Sequence, residues 1–209
     1  MTTRKDQPHW NVERRAHPIM PEPAFIPLAS HITTVRCALR SFESGKNLVV
    51  IYGPSGSGRT TVARQVARLV SSQPILVHHP ETRTEPSENQ MKAHLQTKSL
   101  KTPPLFVFDS IQLKHLNWAW WLRDQASESA KILVVSSTAW WLEHAECLKD
   151  HAEGLGLKLL SVEEVEHLSN GLRWLKAPSA NKLDHAQIQN VDEQSEGLAR
   201  SVANWAKSN

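Results

Sequence analysis

The sequence predicts an α/β fold built on a three-layer, doubly wound parallel sheet. Short runs of apolar, mostly β-branched residues alternate along the chain with segments of helical periodicity. The first such run, residues 48–52, has five apolar residues in a row, as expected for a strand that is buried on both faces. It leads directly into a glycine-rich turn and then into a helix over 60–70.

The glycine-rich turn has the spacing of a phosphate-binding loop. Its glycines allow a tight turn that aims backbone N–H groups inward, and the following helix adds the positive end of its dipole. The alternative is a turn that binds nothing, but the flanking strand and helix favour the phosphate site. The predicted cofactor-binding residues are Gly53, Pro54, Ser55, Gly56, Ser57, Gly58, Arg59, Thr60 and Thr61.

Arg59 is a departure from the usual G-x-x-x-x-G-K-[ST] pattern, because it occupies the position of the lysine. A guanidinium is wider and planar, so it can bind phosphate but not with the point-charge geometry of an ammonium. Thr60 occupies the hydroxyl position that would bind Mg²⁺.

Before this loop, residues 1–24 carry four prolines among charges and predict an extended or disordered arm. Residues 30–43 predict a helix with Ser30 as its N-cap. We expect a core over 25–176 and a smaller C-terminal unit over 177–209.

Two further strands are predicted at 74–79 and 104–109. The second ends in Asp109, which is predicted to hold Mg²⁺ together with Thr60. Many ATPases carry a glutamate at the next position to activate water, but here the residue is Ser110, a poor base.

A fourth strand over 131–137 ends in hydroxyl residues, and Ser136, Ser137 or Thr138 lies where a sensor would contact the γ-phosphate or the attacking water. Of the three, Ser137 is the predicted catalytic residue. The last short strand is predicted at 157–160. Ser161 and Glu164 then form a predicted capping box, and residues 181–208 predict a final helical segment.

Composition narrows the class of protein. The 209 residues suit one domain, and the net charge of +3 permits nucleic acid as a partner without arguing for it. Two cysteines give no disulfide framework, and the chain shows neither a signal-peptide pattern nor an apolar run of spanning length. We therefore expect a cytoplasmic protein.

These motifs, in this order, resemble those of AAA+ ATPase domains over about residues 25–208, and most closely the compact type found in general-secretion-pathway, transposition-helper and origin-recognition ATPases. The resemblance implies bound ATP or ADP with Mg²⁺, and catalytic roles for Asp109 and Ser137. It also implies a small C-terminal helical lid, in which Arg200 of the Gly197–Arg200 segment would reach the nucleotide.

Several parts of the family's hydrolytic machinery are changed. Arg59 and Ser110 replace the usual lysine and glutamate, and no arginine lies between Arg123 and Arg173, where the family usually places its arginine finger. The sequence therefore favours an ATP-dependent switch or adaptor in a larger assembly, with weak or no hydrolysis by itself. The alternatives are an active ATPase of a secretion, pilus, transposition or replication machine, a small nucleotide kinase, and a nucleotide-free interaction module.

Two other groups of residues leave alternatives open. The tryptophans Trp118, Trp120 and Trp121 are either core or a surface for a protein partner, and stacking on nucleic acid is the lesser option. His144, Cys147 and His151 share one predicted helical face and could bind zinc, but a packed helix with a buried thiol is favoured.

Overall fold

Five parallel strands form one sheet in the order β2-β3-β4-β1-β5. The computed structural model describes residues 25–71, 75–78, 105–111, 130–139 and 152–208. The strands, in chain order, are β1 Leu48–Tyr52, β2 Ile75–His78, β3 Leu105–Ile111, β4 Lys131–Ser136 and β5 Ala152–Gly156.

Both faces of the central strands are buried, which confirms the predicted α/β sheet architecture. Side chains alternate between the two faces of a strand, and in β1 Leu48 and Val49, which point to opposite faces, are both 0 % exposed. The same holds for Ile132 and Leu133 in β4. Apolar side chains on both faces are the reason that these strands read as continuous hydrophobic runs.

Two helices pack on one face of this sheet. They are α1, Ala29–Glu43, and α2, Arg59–Val70. Buried apolar residues of both helices, among them Val35, Phe42 and Val66, form one core with alternate residues of the strands. The bounds of β1 are as predicted, and α2 begins one residue earlier than predicted.

The last strand does not lie where the sequence predicts it. The apolar run 157–160 lies outside the sheet, and β5 is formed by the five residues that precede it. The reason is that this run spans two cores: Leu157 packs into the core between the sheet and the helices, and Leu160 into a second core. Strand β5 pairs with one edge of β1.

The second core is formed by three C-terminal helices, α3 Val162–Lys176, α4 His185–Ser195 and α5 Ala199–Ser208. The predicted single segment over 181–208 is therefore wrong, because the chain turns at Glu196 and Gly197, whose φ angles of 51° and 67° are left-handed. The helices pack with Leu28 from the segment before α1. The domain limits at residues 24 and 176 stay predictions.

The start of α1 also differs from the prediction. Its N-cap is Leu28, whose side chain cannot accept a hydrogen bond, and Ser30 lies inside the first turn. The carboxylate of Glu164 in α3 replaces the missing cap, because its Oε1 accepts from the N–H of Ser30 at 2.7 Å. The same carboxylate accepts from the N–H of Ser161 through Oε2 at 3.3 Å, in the capping box predicted for α3.

Glu164 thus serves the N-termini of two helices at once. Partial burial alone would raise its pKa, but hydrogen bonds from Ser30 and Ser161 and the nearby ring of His31 outweigh this effect. The net result is a pKa below the usual range of a glutamate, so the side chain is charged at neutral pH. Negative charge is also favoured at the positive ends of both helices.

We expect Glu164→Ala to lower the free energy of unfolding by about 1–2 kcal/mol, since the variant loses one N-terminal cap in each of two helices. Urea denaturation at pH 7 measures this loss. The matched control is Glu166→Ala, which removes an exposed carboxylate from the same helix.

The pH dependence of the same comparison provides a second measurement. The stabilisation from a carboxyl group whose folded pKa is lowered is fully present above its unfolded pKa and is lost as the pH falls through the folded pKa. The difference between wild type and Glu164→Ala should therefore shrink in acid. A difference that stays constant, or a loss equal to that of the control, would contradict the shared cap.

Candidate functional site

The loop between β1 and α2 has the backbone of a phosphate cradle. Gly53, Gly56 and Gly58 all have positive φ angles, of 154°, 89° and 92°. Gly58 is the N-cap residue of α2, so the loop ends at the N-terminus of a helix. Loops of this kind bind anions through their backbone and through the helix dipole.

The start of the loop packs tightly against the segment that follows β5. The N–H of Leu157 donates to the carbonyl of Tyr52 at 2.7 Å. A Cβ atom on Gly53 would lie 2.5 Å from the carbonyl oxygen of Leu157. Only glycine permits this approach of two backbones, so the residue type is dictated by packing as well as by φ.

The other end of the loop packs against α1. His31, which is 4 % exposed, lies with its Nε2 3.0 Å from the carbonyl oxygen of Ser57. Burial lowers the pKa of His31, and the hydrogen bond to Ser57 and the charge of Glu164 only partly offset that effect. The ring is therefore neutral at pH 7, and it donates its Nε2–H to a carbonyl that can only accept.

The C-terminal helices reach the middle of the loop through a backbone hydrogen bond. The N–H of Arg200, in the first turn of α5, donates to the carbonyl of Gly56 at 2.9 Å. The Arg200 side chain is exposed at this position. The predicted nucleotide-contacting arginine therefore belongs to a helix whose N-terminus is in contact with the cradle.

Arg59 turns towards the end of β4. Its Nη1 donates to the carbonyl of Ser136, which is paired in register with Tyr52 at the end of β1. Because the strands are parallel, the carboxyl ends of β1 and β4 meet at one edge of the sheet, where open α/β folds place their ligands. The guanidinium spans the gap between the loop and the neighbouring strand.

The predicted catalytic residues lie at this same edge. Asp109 is in β3, opposite His78 of β2. The pairing of β3 with β4 shifts between Phe108 and Ile111, so that Asp109 and Ser110 together oppose one residue of β4. Such a bulge changes the direction of side chains and is frequent beside active sites. Ser137 is exposed in the bend after β4, whereas its neighbour Ser136 is fully buried.

The other predicted cofactor-binding residues differ in exposure. Pro54, Ser55 and Thr61 are exposed, whereas Thr60 is half-buried. Ser57 is fully buried, and its Oγ has no hydrogen-bond partner among the described residues. The roles of these residues, and those of Asp109 and Ser137, stay predictions.

Some of the predictions concern residues outside the described ranges. Trp118, Trp120, Trp121 and the face formed by His144, Cys147 and His151 belong to parts of the chain that the structure does not describe. Across the described residues, no group of three or more His, Cys, Asp or Glu side chains could hold a metal ion. In the same ranges, no helix has both the length and the apolar character needed to cross a bilayer.

Sequence reasoning missed His31 and the second role of Glu164. The hydrogen bond of His31 to the loop joins residues 26 apart, and that of Glu164 to α1 joins residues 134 apart. The capping box gave a local signal for Glu164, but a lone histidine on a predicted helix gives none.

Comparison with known proteins supports the fold. Residues 49–117 match the family model described as the ATPase family associated with various cellular activities (AAA). No curated protein matches the chain significantly. Among solved structures, the Holliday junction branch migration motor RuvB of Thermotoga maritima matches with a TM-score of 0.62 and 19% identity, over 88% of this chain and 61% of RuvB. Two single-residue variants of RuvB match with a TM-score of 0.63 and the same identity and coverage.

This chain therefore spans about three-fifths of the RuvB structures that it matches. The family match begins in β1, includes the whole cradle and extends beyond β3, so it covers both the loop and Asp109. The family match over residues 49–117 and the fold shared with RuvB together support the resemblance to AAA+ ATPase domains.

Proposed function

We propose that residues 53–61 bind ATP or ADP with Mg²⁺, and that the chain acts as a nucleotide-dependent switch or adaptor with weak or no hydrolysis by itself. The observation that carries this proposal is the contact between cradle and lid, in which the N–H of Arg200 bonds the carbonyl of Gly56. Phosphates bound in the loop would lie beside the N-termini of both α2 and α5. A ligand there would be connected through this contact to the three C-terminal helices. We use the word lid for α3, α4 and α5 together, since they share one core; α3 lies before the predicted unit 177–209.

Retained binding is supported by the parts of the site that act through the backbone. Glycines with positive φ angles followed by the N-terminus of a helix are suited to bind an anion, whatever side chain follows. Thr60 and Asp109 are the candidate ligands of Mg²⁺, and hydroxyl and carboxylate oxygens suit that ion. When bound, the ion would offset the charge of the phosphates.

Weak turnover is supported by the side chains that differ from those usual in AAA+ ATPases. Ser110 cannot act as a general base near neutral pH, and Arg59 bonds the end of β4 with its guanidinium. A guanidinium has five N–H donors, so Arg59 can contact a phosphate oxygen whether it keeps or exchanges its bond to Ser136. Arg59 could thus contribute to binding without supporting fast chemistry.

An active motor is the second candidate. It is favoured by the structural likeness to RuvB, the Holliday junction branch migration motor. In that case a partner or a second copy of the chain would supply the missing arginine, and nucleic acid could be the substrate. The switch proposal, by contrast, includes a protein partner, for which Trp118, Trp120 and Trp121 are the candidate surface.

Nucleotide binding predicts a rise in melting temperature. A ligand that binds only the folded state stabilises it by about 2.7 kcal/mol at a hundredfold excess over its dissociation constant. We expect such a shift with Mg-ATP, and a smaller one for Arg59→Ala. Arg64→Ala is the matched control, because it removes one exposed positive charge from the same helix. The proposal would be contradicted if the wild-type protein showed neither a shift in melting temperature nor calorimetric binding with ATP, ADP or GTP.

The proposal also predicts the rate of ATP hydrolysis. The isolated protein should hydrolyse ATP very slowly, and the double variant Arg59→Lys with Ser110→Glu should be faster, since a positioned base alone contributes about 10²–10⁴ in rate. Ser110→Gln in the same Arg59→Lys background keeps the size of the side chain but removes the base. Several turnovers per second by the wild type, with no partner present, would favour the motor instead.

A further inference from the structure

His31 is in contact with the most constrained peptide of the cradle. Its Nε2 lies 3.0 Å from the carbonyl oxygen of Ser57, and the ring fills the space beside Gly58. A Cβ atom on Gly58 would lie 2.5 Å from Cε1 of the histidine ring. The imidazole and the glycine thus fit together, and a side chain at position 58 would displace the ring.

The direction of this hydrogen bond matters for the cradle. A trans peptide holds its C=O and its N–H on opposite sides, and the described residues contain no cis peptide. When His31 fixes the Ser57 carbonyl towards α1, the N–H of Gly58 must point to the opposite side of the loop. In a phosphate cradle, the backbone N–H groups on the inner side of the loop are the donors that meet phosphate.

We propose that His31 is a positioning residue for the phosphate cradle, which holds the peptide between Ser57 and Gly58 so that its N–H faces the bound phosphates. The inference rests on the proposed nucleotide binding. It concerns a residue of α1 that lies outside the loop and its sequence motif.

The position of His31 is itself fixed from the lid. The N–H of Ser30, one residue earlier, donates to Oε1 of Glu164 at 2.7 Å. Glu164 belongs to α3, so the first turn of α1 is held between the lid on one side and the cradle on the other. Because the ring is neutral, it can remain buried without the cost of an unpaired charge.

The test is calorimetric titration of Mg-ATP into three variants. His31→Leu fills a similar volume but removes the donor, so it should weaken binding about three- to tenfold, the range of one neutral hydrogen bond. His31→Gln places an amide N–H near the position of Nε2, and it should bind within about twofold of wild type. The matched control is Thr34→Val, since the Thr34 hydroxyl is buried on the same helix and bonds only the carbonyl of Ser30.

Each outcome decides the question. Equal binding by wild type and His31→Leu would overturn the inference, and so would equal losses in His31→Gln and His31→Leu, or a similar loss in Thr34→Val. If His31→Leu does not fold, His31→Asn replaces it, because its shorter amide keeps the polarity but not the reach. Equal binding by His31→Asn and His31→Gln would then be the contrary result. Absence of binding by the wild type would instead contradict the proposed function.

Discussion

The left-handed backbone of the loop between β1 and α2 is the constraint on which the rest of the site depends. Its glycines adopt φ angles that L side chains rarely adopt, so the conformation must be maintained by its surroundings. Three neighbours maintain it: the carbonyl of Leu157 against Gly53, the N–H of Arg200 on Gly56, and the ring of His31 beside Gly58. They come from the segment after the sheet, from the lid and from α1.

These contacts connect the loop to the lid by two separate routes. One route runs directly from Gly56 to the first turn of α5. The other runs from Ser57 through His31 and the start of α1 to Glu164 in α3. Because α3 and α5 share one hydrophobic core, a ligand that shifts the loop would act on the lid through both routes. These two routes suit the nucleotide-dependent switch that we propose, and they do not depend on hydrolysis.

The sequence predicted well those features whose signals are local. The residues of β1 and the start of α2 follow from an apolar run and a glycine turn, and the capping box of α3 follows from Ser161 and Glu164. It failed where two distant elements decide the outcome. Leu157 and Leu160 look like a strand but are divided between two cores, and β5 itself carries glycines at 154 and 156 that weaken any strand signal.

The prediction of the start of α1 was wrong for the same reason. Ser30 is the residue type of an N-cap, yet a carboxylate 134 positions away replaces that function. His31 could not be recognised either, since nothing in its neighbourhood in the sequence distinguishes it from a core histidine. The prediction placed Gly197 inside a helical segment because the sequence on both sides has a helical pattern, whereas the left-handed backbone at Glu196 and Gly197 breaks the helix.

The most direct test of the coupling between the loop and the lid is amide hydrogen exchange, followed by mass spectrometry, with and without Mg-ATP. Exchange is slowed where ligand or tighter packing lowers local opening. The account predicts slower exchange in residues 53–61 and also in 28–32 and 198–202, the two places where α1 and α5 meet the loop. Protection of the loop alone, with the other two segments unchanged, would show that the cradle and the lid are not coupled and would contradict the switch.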